Sequence, residues 1–387
     1  MKIVHIAPSA PYNDYWGYQD NLLPKYQRKL GHEVTMITTN TMHKDGKIVE
    51  TDCGDYVLND GVRVIRLKRK QYSNQIYTNL NSRLEVFPYL KQIRPDFIFF
   101  HGLVSTSIYD VIKYVKYVNG MCIVVQDNHL DFYNGRSAKG PKGIVIRAFY
   151  RHVSRRSKSV VMKVYGVTPW RVKYAVDYFK VPSSKTDLLM MGADDEHIRF
   201  SNKKEIRNRI RHQYGVAENE FLIVTGGKID KEKRILEVMD AIRNLQNVKM
   251  LIFGSVVPGL QRQFNDRYSQ SDNIIYIGWV PSEKVYDYFI SADLVCFPGS
   301  HSVLWEQACA CKIPCLFSKW DGMDHVNNGG NSDFLHDVTP DSIREKIISL
   351  HFTDQYKRMV EVANSSATDI YLYSEIAKKS LECMTQI

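Results

Sequence analysis

The feature that most constrains this chain is a rhythm. Short apolar runs, each closing in a small or polar loop, alternate with stretches of helical spacing, and the rhythm runs through twice. Residues 3–7 predict a strand, followed by the loop Pro8-Ser9-Ala10-Pro11. Leu22, Leu23, Tyr26, Gln27 and Leu30 then fall on one helical face closed by Gly31, and Pro24 predicts a kink or a late start. Further strands are predicted at 34–38, 62–67, 97–100, 121–125 and 160–164. Strand–helix–strand units cross over right-handed and build a parallel sheet, whose ligands bind beyond the carboxyl ends of the strands. After the polar stretch 192–219, the natural hinge, the pattern restarts. Strands are predicted at 221–225, 248–253, 274–277, 294–297 and 315–317, with helices over 235–245, over 283–290 capped by Ser282, and over 303–311.

The expected fold is therefore α/β, two Rossmann-like doubly wound domains with a cleft between them. Its 387 residues exceed one comfortable core and suit this division. The expected boundaries are 1–195 and 196–365, with a helical tail over 366–387 that packs back on the first domain. No run approaches the roughly 20 apolar residues of a membrane span. The opening apolar run is interrupted by His5 and Pro8, so it reads as a strand rather than a signal peptide, and a cytoplasmic location is expected. Seven cysteines are an odd, thinly spread set that argues against a disulfide framework. Cys309, Cys311 and Cys315 cluster, but no histidine stands at ligand spacing, so they read as buried thiols. The net charge of +10 favours anionic partners without choosing among phosphates, nucleic acid and an acidic membrane.

Three segments carry candidate chemistry. Thr225-Gly226-Gly227-Lys228-Ile229-Asp230-Lys231-Glu232-Lys233-Arg234 reads as a strand, a glycine-rich turn and a basic helix start. Close backbone approach, free N–H groups and the charges of Lys228 and Lys233 suit a diphosphate; the plain alternative is a solvated basic cap. Gly254 ends the next strand in a similar way. In Phe297-Pro298-Gly299-Ser300-His301-Ser302-Val303-Leu304-Trp305-Glu306, Glu306 falls in the first turns of a helix, placed to accept hydrogen bonds from a pair of sugar hydroxyls. The alternatives are that Glu306 only complements the helix dipole and that Ser302 only caps the helix. The first half offers Trp16-Gly17-Tyr18, His101 and Asp127-Asn128-His129 at the sheet's carboxyl edge. No GxGxxG follows the first strand, and neither GxxxxGK[ST] nor GxSxG is present, which weighs against a dehydrogenase, a P-loop enzyme and a hydrolase elbow.

Taken in order, these residues resemble the family-four retaining glycosyltransferases of GT-B fold, over most of the chain. Gly17 with Lys29-Leu30-Gly31-His32-Glu33-Val34 resembles that family's first βαβ unit, and Gly192-Ala193-Asp194 its Gly-Val-Asp near the interdomain linker. The resemblance implies that Gly227-Lys228 and Lys233 hold the donor diphosphate, where the family has Gly-Arg and Lys. It implies that Gly278-Trp279-Val280 meets the nucleobase and that Glu306 binds the ribose hydroxyls. Gly17, Gly254, His301, Ser302 and Val303 are the further candidates for donor contacts. Pro298 stands eight residues before Glu306, where the family's first glutamate contacts the donor sugar, so sugar recognition is expected to differ. Lys228 in place of arginine keeps the charge and loses the bidentate fork.

The expected activity is retaining transfer of a sugar from a nucleotide diphosphate to a hydroxyl of a saccharide or lipid-linked saccharide. Lys228 and Lys233 stabilise the leaving diphosphate and His129 orients the sugar, while Trp16, His101 and Asp127 line the acceptor side. No cofactor and no metal are expected. The stretch 136–163 holds Arg136, Lys139, Lys142, Arg147, Arg151, Arg155, Arg156, Lys158 and Lys163 without an acidic residue, interleaved with apolar ones. It suits either an anionic membrane on the inner face of the cell or an ordinary solvated surface. The rival readings are a sugar-nucleotide epimerase of the same fold, a non-catalytic sugar-nucleotide binder, and a nucleic-acid binder suggested by charge alone.

Overall fold

A computed structural model describes residues 1–73, 78, 80–132 and 140–386. The chain divides into two compact units, Met1–Met190 with Ile376–Ile387, and Met191–Glu375.

The first unit contains β1 (Lys2–Ala7), β2 (Glu33–Thr39), β3 (Thr41–Lys44), β4 (Lys47–Glu50), β5 (Gly54–Val57), β6 (Arg63–Leu67), β7 (Phe97–Phe100), β8 (Ile123–Asn128), β9 (Val161–Gly166) and β10 (Thr186–Leu188). Eight of these form one sheet in the order β10-β9-β8-β7-β1-β2-β6-β5. Every pairing in it is parallel except β5 with β6. Such a sheet is covered on both faces, and the four residues of β7, Phe-Ile-Phe-Phe, are all buried. Strand order reverses between β1 and β7, which makes their carboxyl ends the topological switch point. The helix Gln19–Lys29 starts before Pro24 and runs through it.

The hairpin β3–β4 and the edge strand β5 are absent from the sequence expectation. Asp45 and Gly46 turn the hairpin with φ of 50° and 74°. An Asp-Gly pair between two short runs is the signal that could have revealed it.

The second unit contains β11 (Phe221–Ile229), β12 (Val248–Val256), β13 (Ile274–Gly278), β14 (Leu294–Phe297), β15 (Cys315–Ser318) and β16 (Ser332–Leu335), in the order β13-β12-β11-β14-β15-β16. All pairings are parallel, and the switch point lies between β11 and β14. Ile223, Met250, Ile252, Leu294 and Leu316 pack against Val238, Met239 and Ile242 of the helix Ile235–Ile242. Within the polar stretch 192–219, the helix Lys203–Gln213 is tied to this sheet: Arg207 and Arg211 reach Asp293 at 2.5 and 3.0 Å, and Asp293 also accepts from the Leu222 N–H at 2.7 Å.

Local details differ from expectation. Gly226 and Gly227 are not a turn; they lie within β11, and the following helix begins only at Ile235. Ser282 opens a 3-10 turn, and the helix behind it is Val285–Ser291 with no side-chain cap. Ser302 is not a cap either: Val303 takes that place before the helix Leu304–Ala310, and only the Ser302 carbonyl is used, by the Trp305 N–H at 3.0 Å. The first change follows from pairing of Gly226 and Gly227 with Phe253 and Gly254 of β12, which local residue preference does not encode.

Candidate active site

At the switch point of the second unit, two loops leave the neighbouring strands β11 and β14. They touch at Gly299, where an added Cβ would stand 2.2 Å from the Glu232 carbonyl oxygen. The Ser300 N–H donates to that same carbonyl at 2.8 Å. Lys233 crosses the junction, its Nζ donating to the carbonyls of Ser300 at 2.7 Å and His301 at 3.3 Å. Loss of hydration lowers the pKa of this ammonium below the usual lysine value. Lys228 is 70% exposed on the last residues of β11, with Nζ 3.4 Å from Asp230. The N–H groups of Glu232 and Lys233 are not free for a phosphate: both donate to Asp230 Oδ1, at 3.0 and 3.2 Å.

The ends of β11 and β12 are pressed together. Gly254 has φ of 115°, and a Cβ there would stand 1.8 Å from the Gly227 carbonyl oxygen. The Tyr276 hydroxyl donates to the Gly254 carbonyl at 2.9 Å. Trp279, just past β13, is 72% exposed, and Val280 beside it is half-buried. Ser302 and Val303 are also half-buried.

Glu306 does not open onto solvent; it is fully buried. Its Oε1 accepts from Nε2 of both His301 and His325, each at 2.8 Å, while Oε2 has no partner. Burial alone would raise this carboxyl, but the charge and hydrogen bonds of the two imidazoles outweigh it and hold the pKa at about 2. His325, whose side chain is covered in the segment after β15, was missed from sequence. Nineteen residues and a strand separate it from Glu306, and no spacing rule joins them. Trp305, stacked on Phe317 at 4.5 Å, packs edge-on to His301 at 5.3 Å. The clustered cysteines Cys309, Cys311 and Cys315 are buried free thiols.

The first unit carries a buried polar chain at its own switch point. Gln27 accepts at 2.7 Å from Nε2 of His5, in the middle of β1, and its amide donates to Ser380 Oγ at 2.9 Å. His5 Nδ1 meets His101 Nε2 at 3.1 Å, and His101 Nδ1 meets Asp127 Oδ2 at 2.9 Å. Asp127 Oδ1 accepts the Gly102 N–H at 2.7 Å, and His129 Nε2 lies 3.3 Å from Oδ2. Asp127 and His101 are buried, whereas the His129 side chain is 43% exposed. Burial and the neighbouring His101 push His5 down to about 3. Burial opposes charge on both His101 and Asp127, yet their partners prevail: Asp127 raises His101, and the charges of His129 and His101, with hydrogen bonds from both, hold Asp127 below the carboxylate range. His5 was not singled out from sequence, because a histidine inside a strand gives no local sign of what it meets. Trp16 stacks on His43 at 5.4 Å; Gly17 has a non-positive φ and open space where a Cβ would stand.

Residues 206–365 match the family model described as glycosyl transferases group 1. The chain is 30% identical over 132 residues to a putative teichuronic acid biosynthesis glycosyltransferase, TuaC, of Bacillus subtilis, a match covering 33% of this chain and 32% of that protein. It is 23% identical over 189 residues to the alpha-galactosylglucosyldiacylglycerol synthase of Streptococcus pneumoniae, covering 46% of this chain and 48% of that one. It thus spans about a third to about a half of the length of the curated relatives it matches. The fold is shared end to end with the Anabaena protein Alr3699/HepE, solved in complex with UDP: TM-score 0.68 and 14% identity over 100% of both chains. The architecture is GT-B.

Proposed function

We propose that this chain, a GT-B-fold protein whose residues 206–365 belong to the group 1 glycosyltransferases, moves a sugar from a nucleoside-diphosphate donor to an acceptor hydroxyl. The observation that carries this reading is the convergence of Lys233, the Gly227/Gly254 strand ends and the buried carboxylate of Glu306 at one switch point, inside the matched region. Lys228 and Lys233 face the diphosphate and stabilise the negative charge that grows on it as the glycosidic bond breaks. Glu306 Oε2, the oxygen left unpartnered, takes the ribose hydroxyls once the side chains that cover it move aside. Trp279 and Val280 border the nucleobase. Lys228 and Lys233 offset part of the diphosphate's charge, and the reading needs no metal in the transfer step.

On the first unit, His129 orients the sugar, held by Asp127 and through it by His101. Trp16 belongs to the acceptor side. Retention at the anomeric carbon follows from the family resemblance. Pro298 brings no polar group to the place of the missing glutamate, Nε2 of His301 is committed to Glu306, and the carbonyls of 299–302 are taken by Trp320, Lys233 and Trp305, so the backbone N–H groups of His301 and Ser302 are left to read the sugar.

The acceptor is a saccharide, free or lipid-linked, met at an anionic membrane surface. The helix Gly140–Ser157 supports this: Ile144, Val145 and Ala148 are exposed on the same stripe as Arg151, Arg155 and Arg156. Arg136 and Lys139, part of the same basic stretch, lie outside the described residues. Among the described residues, no helix is long and apolar enough to cross a membrane.

The test is turnover of a panel of nucleotide sugars with saccharide and lipid-diphosphate acceptors, following release of nucleoside diphosphate and the anomeric configuration of the product by NMR. Glu306→Ala and Lys233→Ala are each expected to slow transfer by roughly 10²–10³-fold, the cost of one such charge-stabilising group. Wild-type rates in both variants would refute this site. Conversion of donor alone into an isomeric sugar nucleotide would mark an epimerase instead.

A further inference from the structure

The arrangement around Glu306 goes beyond what a ribose contact needs. Two imidazole nitrogens converge on one oxygen of a carboxylate that has lost all contact with water. The other oxygen is buried and unpartnered. One donor atom from each of His301, Glu306 and His325 lies within 4.8 Å of the other two.

We propose that His301, Glu306 and His325 form a site for a transition-metal ion of the Zn²⁺ type, and that the ion and the nucleotide donor compete for Glu306. The competition rests on the reading of Glu306 as the ribose acceptor; the metal site does not.

The donor set is two neutral imidazoles and one carboxylate, which suits zinc and its neighbours rather than magnesium or calcium. Ligands about 2.0–2.2 Å from a tetrahedral ion stand roughly 3.3 Å apart. The 2.8 Å contacts need to open by about half an ångström, and the two imidazole nitrogens, within 4.8 Å of each other, need to close by up to about 1.5 Å. Ligation through Nε2 moves the His325 proton to Nδ1, which is buried without an acceptor, so the ion must offset the cost of that unsatisfied N–H. The His325 backbone is anchored independently, its carbonyl accepting from the Tyr371 hydroxyl at 2.7 Å. Three protein ligands leave a fourth position for water. An ion seated there would hold the carboxylate that the ribose hydroxyls require, making the site an inhibitory one.

The test titrates Co²⁺ and Zn²⁺ into the full-length protein at pH 7.5, by calorimetry and by the visible d–d spectrum of Co²⁺. The expected result is one ion per chain, with affinity at least 10–100-fold weaker in His301→Gln and His325→Gln. Glutamine keeps a donor toward Glu306, so unchanged thermal melting of the ion-free variants separates ligand loss from misfolding. Absence of binding by the wild type, or equal binding by the variants, would overturn the site. UDP affinity is then measured with and without Zn²⁺ in wild type and His325→Gln, because chelation by UDP in solution weakens both equally. Excess weakening in the wild type supports competition. Equal weakening alongside intact metal binding overturns the competition and the ribose role of Glu306 while leaving the metal site standing.

Discussion

At the residue scale, the titrating groups of the two sites make the protein acid-sensitive in two steps. His5 is held at about 3, below its unfolded value near 6.5. It therefore contributes stability that is complete above pH 6.5 and lost as the pH falls. Glu306, held at about 2 against an unfolded value near 4.3, and Asp127, depressed further, contribute stability above about pH 4 that is lost below it. His101 has the opposite sign: its raised pKa gives stability below pH 6.5 that is lost as the pH rises through its folded value. Thermal melting between pH 8 and pH 3 is expected to show a limb below pH 6.5 with a slope of up to about 1.4 kcal/mol per pH unit for one proton. That limb should shrink in His5→Asn. Asp127→Asn is expected to cost about 3–5 kcal/mol, because it leaves the buried His101 without its counter-charge; urea unfolding measures this.

At the element scale, contact between strand ends shapes the nucleotide side. Gly254→Ala would force a methyl group into the Gly227 carbonyl at a backbone angle that side chains rarely adopt. A loss of at least about 1–3 kcal/mol is expected, with nucleotide binding weakened beyond the loss of folded protein. Calorimetry on the folded fraction separates the two effects. Gly299→Ala acts differently: it would push the 298–303 loop off Glu232 and strain the Lys233–Ser300 hydrogen bond. Donor affinity should fall more than melting temperature.

At the scale of the whole molecule, charge is the long-range property. The net charge of +10 and the exposed basic stripe of Gly140–Ser157 predict binding to anionic vesicles that weakens steeply with salt, on a Debye length of about 10 Å at 0.1 M. Sedimentation with phosphatidylglycerol vesicles at 50 and 300 mM salt is the measurement. Ile144→Glu combined with Arg155→Glu should abolish the binding without altering donor turnover on a soluble acceptor. Salt-independent binding would point to another contact.

The sequence by itself determined the repeated strand–helix order, and with it the parallel sheets, because hydrophobic period is a local property that burial enforces. It also determined which residues stand past strand ends: Lys233 after β11, Glu306 after β14 and His101 after β7. Tertiary structure alone decided what those residues meet. His325 reaches Glu306 across β15, and His5 reaches His101 because β1 and β7 are neighbours 96 positions apart. It also decided that Asp230 occupies the N–H groups expected to be free, and that Gly226 and Gly227 continue a strand. Such partners are chosen by strand order and by the need to satisfy every buried polar group, and neither is written in residue spacing.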